Sequence, residues 1–201
     1  MRREIIRSVV AVLALTLVCG LAYPLAMTGI AQVVFPGRAD GSLVRHDGRV
    51  VGSRLQAQAF TLPGRGGRPD PRYFQPRPSQ TSYSGSATSF PNRGPNQRAA
   101  RRFYRAALRR YLALNRPSDP GLRADAVPVD AVTTSASGVD PHISAANARI
   151  QARRVAAVRR LPLARVMALV DAHTDGRALG VFGEPGVNVL ELNLALDRSA
   201  R

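Results

Sequence analysis

The amino-acid sequence predicts an α+β protein: a single N-terminal transmembrane helix, followed by one extracytoplasmic domain of helices packed on a small β-sheet. Three observations support this fold class. Residues 8–37 contain no charge, apolar residues recur at helical spacing in 96–114 and after Ser144, and short alternating segments lie near the C-terminus. A chain of 201 residues has room for one modest domain beside the helix.

The first predicted element is a transmembrane helix with its outer extension at residues 8–36. A helix rises about 1.5 Å per residue, so the hydrocarbon core of a bilayer needs roughly 20 residues. Three arginines precede the apolar run, which by the positive-inside tendency places residues 1–7 in the cytoplasm and residues 37–201 outside it. We therefore expect a single-pass protein of the cell (inner) membrane.

A cleaved signal peptide is the alternative for this segment, because residues 22–26 offer a weak small-residue cleavage site. Apolar residues continue beyond that site as far as Phe35, and Tyr23 with Pro24 indicates a helix distortion rather than a processing site. We therefore expect the segment to be retained. Cys19 lies inside it and is interpreted as a small apolar residue in lipid.

The outer domain begins with a predicted β-hairpin at 42–52, because Asp47-Gly48 is a strong turn signal between strand-like segments at 43–45 and 49–51. Residues 62–95 follow, rich in Gly, Pro, Ser and Gln, and predict a long irregular loop. Long ordered loops in compact domains are usually functional or binding loops. A disordered linker is the alternative.

Three helices are predicted after this loop. The first covers 96–114, with apolar residues on one side and arginines on the other. The second is capped by Ser144 and extends to about residue 160, and the third begins at Pro162.

Two short strands are predicted near the C-terminus, at 179–182 and 187–194. In the second segment Val187 and Val189 alternate with Asn188, a period of two that is typical of a strand with one buried face. These strands would form the small sheet of the α+β fold.

The net charge of +16 comes entirely from arginine, since the chain has no lysine. Such a charge can indicate a nucleic-acid or anionic-membrane partner. The five Tyr and six Phe do not interleave with the arginines as a stacking platform would. We therefore expect no nucleic-acid partner and attribute the charge mainly to biased genome composition. A membrane-anchored extracytoplasmic polyanion-binding module stays open as an alternative function.

The most informative stretch is 132–144, a run of small hydroxyl residues closed by an Asp-Pro-His turn, without apolar periodicity. Ser, Thr and Asp compete with the backbone for hydrogen bonds and so build turns and caps. Shape or contact, rather than a repeating element, therefore selects these residues. The candidate residues of this stretch are Ser135, Ser137, Gly138, Asp140, Pro141, His142 and Ser144.

A hydrolase is the alternative for this stretch, because Ser135, Asp140 and His142 are the residue types of a catalytic triad. Residues so close together in an irregular segment rarely form a triad, and no nucleophile-elbow glycine pattern surrounds a serine. The three histidines are too far apart in sequence to indicate a metal site. We therefore predict a tight turn and helix cap, with no catalytic residue and no metal.

Residues 135–144 resemble the Ser-Ala-Ser-Gly-x-Asp-Pro-His-Ile-Ser motif of the KdpC family, the C subunit of the bacterial Kdp potassium-transporting P-type ATPase. The resemblance covers nearly the whole chain. Matching segments include Tyr23-Pro24, Arg77-Pro78-Ser79, Gln151, Arg154-Val155-Ala156 and Val187-Asn188-Val189-Leu190. The match at Arg77, Pro78 and Ser79 favours an ordered loop over a linker.

The resemblance implies a non-catalytic accessory subunit of a high-affinity, ATP-driven potassium uptake complex. Its partners would be a channel-like potassium-translocating subunit, a P-type ATPase subunit, a small membrane subunit and membrane lipid. Residues 77–79 and 135–144 would form a folded loop structure and contact surface. No Walker motif can exist in a chain without lysine, so energy conversion belongs to a partner.

The family is also described as a catalytic chaperone that raises the ATP affinity of the ATP-hydrolysing subunit, and this implies a nucleotide link at Gln151 and Arg154. The two residues lie one helical turn apart. An exposed polar helix face is the alternative. The predicted topology places both residues outside the cytoplasm, where ATP is scarce, so we expect ATP to act through the ATPase subunit and no cofactor to bind this chain.

Overall fold

The structure is a computed structural model that describes residues 1–89 and 92–199. The chain divides into two compact units, Met1–Val44 and Arg45–Arg201. The first unit contains a continuous helix, Arg2–Val34, that is long and apolar enough to cross a membrane. Helices and small antiparallel sheets follow, so the predicted α+β class with one N-terminal candidate span is confirmed.

The apolar helix changes its winding just before Pro24. It consists of α1 (Arg2–Leu17), a π-helical turn (Val18–Ala22) and α2 (Tyr23–Val34). Proline has no N–H to offer the carbonyl of Gly20, and its ring crowds that carbonyl. The turn widens, and the N–H of Tyr23 bonds to the carbonyl of Val18, five residues back. The predicted distortion at Tyr23 and Pro24 is confirmed.

The predicted hairpin is also confirmed. A short helix, α3 (Pro36–Ala39), precedes β1 (Leu43–His46) and β2 (Arg49–Ser53), which form a two-stranded sheet. Asp47 and Gly48 join the strands with φ values of 48° and 77°. Positive φ at both central residues is what a two-residue hairpin turn requires, because it matches the twist of the strands.

The described part of the second unit contains four α-helices: α4 (Arg98–Asn115), α5 (Ala145–Arg159), α6 (Leu163–Ala172) and α7 (Val189–Ser199). The first three are the predicted helices. Arg160 ends α5 in the left-handed conformation, with φ of 56°, and Pro162 is the N-cap of α6. The fourth helix was not predicted.

A three-stranded antiparallel sheet joins the segment at 142–144 to the C-terminal part of this unit. Its strands are β3 (His142–Ser144), β4 (Thr174–Asp175) and β5 (Gly186–Asn188), in the order β3-β5-β4. Ile143 lies opposite Val187 and Ser144 opposite Gly186. The Asp-Pro-His turn therefore leads into an edge strand whose partner comes from more than forty positions later in the chain.

The two C-terminal strand predictions are wrong in different ways. Residues 179–182 form an exposed turn with one bridge between Ala178 and Phe182, and Leu179 is 90% exposed. The strand predicted at 187–194 ends at Asn188, whose side-chain oxygen accepts the N–H of Glu191 at 3.2 Å and caps α7.

The apolar residues of 187–194 fit a period of two, but the residues that are buried follow a helical period. Val189, Leu192, Asn193 and Leu196 are all buried, a spacing of three, four and seven residues that is typical of one helix face. The Asn188…Glu191 pair also matches a capping-box spacing. This was the sequence signal that favoured a helix.

Phe74 anchors the long loop of residues 62–95 in the domain. This side chain is 0% exposed and lies in the core between the helices and the sheet. The core consists of Phe74, Ile143, Ala148, Ala152, Val155, Ala156, Val166, Val170, Val187, Val189, Leu192 and Leu196. The burial of Phe74 favours the interpretation of an ordered loop over that of a disordered linker.

Candidate functional site

The stretch at 132–144 folds into a turn that caps its own backbone. The hydroxyl of Ser135 accepts the N–H of Gly138 at 3.0 Å, and that of Ser137 accepts the N–H of Val139 at 3.2 Å. Asp140 accepts the N–H of His142 at 3.0 Å. The small polar residues therefore supply the hydrogen bonds that a regular element would otherwise provide.

Glycine is required at position 138 for two independent reasons. Its φ is +76°, a conformation that side chains disfavour. A Cβ atom added there would lie 2.9 Å from the hydroxyl oxygen of Thr81 and 3.6 Å from that of Ser79. The close approach of the long loop thus fixes this residue.

Arg77 and Ser79 hold the long loop against the turn. The Arg77 guanidinium donates to Asp140 at 3.2 Å and to the carbonyl of Thr134 at 3.2 Å. The hydroxyl of Ser79 donates to the carbonyl of Gly138 at 2.6 Å. The structure therefore brings together the two segments that the sequence singled out separately.

Most of this motif lies inside the domain. Ala136 is the single exposed residue of 132–144, and the others are buried or half-buried. Pro141 is buried, and its carbonyl accepts the N–H of Val189 at 3.0 Å. Pro78 lines a cavity of about 380 Å³ between the long loop and α4. The motif therefore acts first on the domain's own packing.

His142 lies between two carboxylates. Its Nδ1 is 3.7 Å from Asp140, and its Nε2 is 3.4 Å from Asp175. The nearby carboxylate of Asp140, followed by that of Asp175, raises the pKa of His142 above its ordinary value, although partial burial opposes the shift. Burial also opposes ionisation of Asp140, but the His142 ring, the backbone N–H of His142 and the charge of Arg77 outweigh it and lower the pKa of that carboxyl.

Ser144 caps α5, as predicted, and Asp130 completes the cap. The hydroxyl of Ser144 accepts the N–H of Asn147 at 3.1 Å and donates to Asp130 at 2.8 Å. Asp130 also accepts the backbone N–H of Ser144 and the side-chain amide of Asn147, both at 2.9 Å. Sequence reasoning missed Asp130, because its partners lie 14 and 17 residues away.

Two side-chain amides clamp the backbone of the long loop. Gln151 accepts the N–H of Gln75 at 2.8 Å and donates to its carbonyl at 3.0 Å. Asn193 does the same for Phe74, at 2.9 and 3.0 Å. Each amide thus replaces a neighbouring strand, which explains how a segment without regular structure is buried.

Arg154 is a buried cation with neutral partners. Its three guanidinium nitrogens donate to the backbone carbonyls of Pro71 and Tyr73, and to the side-chain oxygens of Asn115 and Gln151, at 2.7 to 3.1 Å. Burial lowers the pKa of Arg154 to about 10, so the group is still charged at neutral pH. Four neutral oxygens therefore take the place of its hydration shell.

The exposed-face interpretation of Gln151 and Arg154 is wrong, because each residue is only 1% exposed. Their partners Gln75 and Asn115 were also missed, as was the second backbone clamp, Asn193. Polar residues at 147, 151 and 154, at helical spacing among alanines and a valine, were the available signal for a buried polar stripe.

Within the alternative triad, His142 lies against Asp140, but the hydroxyl of Ser135 has a backbone partner. The hydroxyl of Ser135 is occupied by the N–H of Gly138, and the His142 ring lies against Asp140 and Asp175. Among the described residues, no group of three or more His, Cys, Asp or Glu side chains could hold a metal ion. These contacts hold the charged side chains and the backbone of the turn in place, and they do not activate Ser135 as a nucleophile.

We expect the substitution Gln151→Leu to lower the free energy of unfolding by about 3 kcal/mol. It leaves the N–H and carbonyl of Gln75 without partners inside the protein, and an unpaired buried polar group costs about 1–3 kcal/mol. Guanidinium unfolding of the full chain in mild detergent, followed by tyrosine fluorescence, measures the change. Arg149→Gln, exposed on the same helix, is the control and should stay within about 0.5 kcal/mol of wild type. Equal stability of the two variants would contradict the clamp.

We also expect a pH-dependent contribution from His142. Because its folded-state pKa is raised above 6.5, this stabilisation is complete below about pH 6.5 and is lost as the pH rises through the folded-state value. His142→Gln should therefore reduce the difference in unfolding free energy between about pH 5.5 and pH 8.5. His46→Gln, outside this cluster, is the control. If His142→Gln keeps the wild-type pH dependence and His46→Gln loses it, the effect belongs to His46 and not to His142.

Comparison with known proteins identifies the family. The sequence model of the protein family described as KdpC, K+-transporting ATPase, c chain, matches residues 5–198. A protein of Sorangium cellulosum named potassium-transporting ATPase KdpC subunit is 52% identical over 193 residues, covering 94% of this chain and 95% of the relative. Proteins of the same name from Myxococcus xanthus and Mycobacterium tuberculosis are 49% and 43% identical, over 96% and 98% of this chain and 85% and 100% of the relatives. The chain therefore belongs to the KdpC family of potassium-transporting ATPase subunits.

Proposed function

We propose that the chain is a single-span, non-catalytic subunit that assembles and stabilises a high-affinity, ATP-driven potassium uptake complex. The family match over residues 5–198 is the observation that carries the proposal. The proposed partners are a channel-like potassium-translocating subunit, a P-type ATPase subunit and a small membrane subunit, with lipid around the apolar helix.

The proposed orientation has residues 1–7 in the cytoplasm and the second unit outside it. Arg2, Arg3 and Arg7 flank the N-terminal end of the apolar helix, and positive charge near a span favours the cytoplasmic side. Arginines of the second unit do not oppose this orientation, because long domains translocate largely regardless of charge.

The effect on ATP affinity is proposed to pass through subunit contacts, with no nucleotide held at Gln151 and Arg154. Both side chains are buried and bonded to the long loop. A nucleotide could reach them only if that loop left α5 and Phe74 left the core. Their proposed role is to hold the loop in place, so that the surface offered to the partners has one shape.

The proposed contact surface lies around residues 77–79 and 135–144. Ala136 is exposed there, and Arg77, Asp140 and His142 are half-buried around it. A rigid turn loses little conformational entropy when it binds, which favours recognition by shape.

A labelling experiment tests the orientation. In a Cys19→Ser background, the substitution Arg149→Cys should react with an impermeant thiol reagent in intact cells, because Arg149 is exposed in the second unit. Glu4→Cys, at the other end of the apolar helix, should react only after the cells are opened. The reverse pattern would contradict the orientation and would place the second unit on the side where ATP is present.

A second experiment tests the contact surface. Ala136→Glu should reduce recovery of the channel-like and ATPase subunits with the tagged chain in mild detergent by at least about tenfold, since 1.4 kcal/mol of lost binding suffices for that factor. Ala113→Glu, a matched change at an exposed residue of α4, should leave recovery unchanged. Full recovery with Ala136→Glu would exclude this turn from the interface, and a tagged wild-type chain that purifies alone would contradict the proposed function.

A further inference from the structure

The outer side of α4 is a stripe of arginines, which we call the arginine face of α4. Its members are Arg98, Arg101, Arg102, Arg105 and Arg109, all exposed. Their spacing places them on one side of the helix, spread over roughly 16 Å at about 1.5 Å per residue. The opposite side of α4 is buried in the domain through Ala100, Ala107 and Leu112.

No carboxylate of the described residues forms an ion pair with the arginine face. Residues 71–118 contain ten arginines and no acidic residue. Several arginines elsewhere in the same unit do form ion pairs: Arg72 pairs with Asp70 at 2.7 Å, and Arg159 pairs with Asp197 at 2.8 Å. A general bias toward arginine does not explain a local absence of acidic residues.

Like charges one turn apart destabilise a helix. The arrangement therefore lowers the stability of the isolated domain, and an anionic partner would reverse that effect. The partner has to present several negative charges along about three turns of helix, without needing an apolar contact, because the apolar side of α4 is already buried.

We propose that the arginine face of α4 binds the anionic phospholipid headgroups of the membrane that anchors the chain. The connection between α2 and β1 is only eight residues long, 35–42, and contains α3. A domain of this size has a radius of gyration of about 15 Å. This short tether keeps the unit beside the bilayer surface, which makes the effective concentration of headgroups high.

Guanidinium groups suit this ligand. Each presents a planar fork of donors that matches a phosphate, and arginine is the usual side chain for such bidentate contacts. Because the apolar side of α4 is unavailable, the contact is limited to headgroups and depends on charge, so salt weakens it. The inference goes beyond the proposed function and requires only that the apolar helix is embedded in a bilayer.

Fluorescence quenching in nanodiscs tests the inference. The full chain, with Cys19→Ser and a fluorophore on Ala99→Cys in α4, is placed in discs of phosphatidylcholine with or without phosphatidylglycerol, each with a nitroxide-labelled headgroup. We expect strong quenching only with phosphatidylglycerol, and its loss at high salt. The same label on Arg149→Cys, on another helix, should respond much less.

A matched pair of triple variants assigns the effect to this face. Arg101→Gln, Arg105→Gln and Arg109→Gln together should lower the ratio of docked to free domain by roughly 100-fold, since each arginine near an anionic surface contributes about fivefold. Arg65→Gln, Arg68→Gln and Arg149→Gln remove the same charge from other exposed positions and should leave quenching close to wild type.

Three results would overturn the inference. The first is equal quenching with and without phosphatidylglycerol, and the second is an equal loss in both triple variants, which would point to net charge alone. The third is unchanged quenching in the α4 triple variant together with poorer recovery of the other subunits in neutral detergent, which would assign the face to an acidic protein partner. The salt titration is done on the chain with its native arginines. The loss or persistence of quenching at high salt therefore tests the inference even if the α4 triple variant unfolds.

Discussion

The buried guanidinium of Arg154 has to be solvated by the protein itself, because an ionised group taken out of water without partners costs several kcal/mol. Its neutral oxygen partners come from the long loop, from the end of α4 and from α5. These segments are far apart in the chain. The need to surround one charge therefore fixes their relative positions, and the loop cannot move without exposing it.

The rest of the candidate site depends on that fixed loop. Gln151 and Asn193 hold its backbone at two successive residues, and this places Arg77 and Ser79 against the turn at 135–144. The turn must then be made of small residues, since Gly138 lies under the loop with no room for a Cβ atom. The unusual composition of the motif follows from close packing between two irregular segments, which have no ladder to satisfy their backbone.

The arginines of this chain belong to two physical classes. Arg77 and Arg154 are held by specific oxygens inside the domain, where each organises a segment of backbone. The arginine face of α4 is exposed, so its charges act through the field that they create together. Net charge alone does not distinguish the two classes. The two classes differ in their burial and in the acidic residues near them, and these two properties distinguish structural arginines from arginines available to a partner.

The sequence by itself determined the features that depend on neighbouring residues: the apolar span, the distortion before Pro24, the Asp47-Gly48 hairpin and the cap at Ser144. It also determined the family, because residues 135–144 form a distinctive string. Only the tertiary structure decided that 189–199 is helical, since the segment 187–194 fits both periods until burial is known. It alone showed that Gln151 and Arg154 are internal, because their partners lie 76 and 83 residues away. Contacts over such distances arise from packing, and local pattern does not record them.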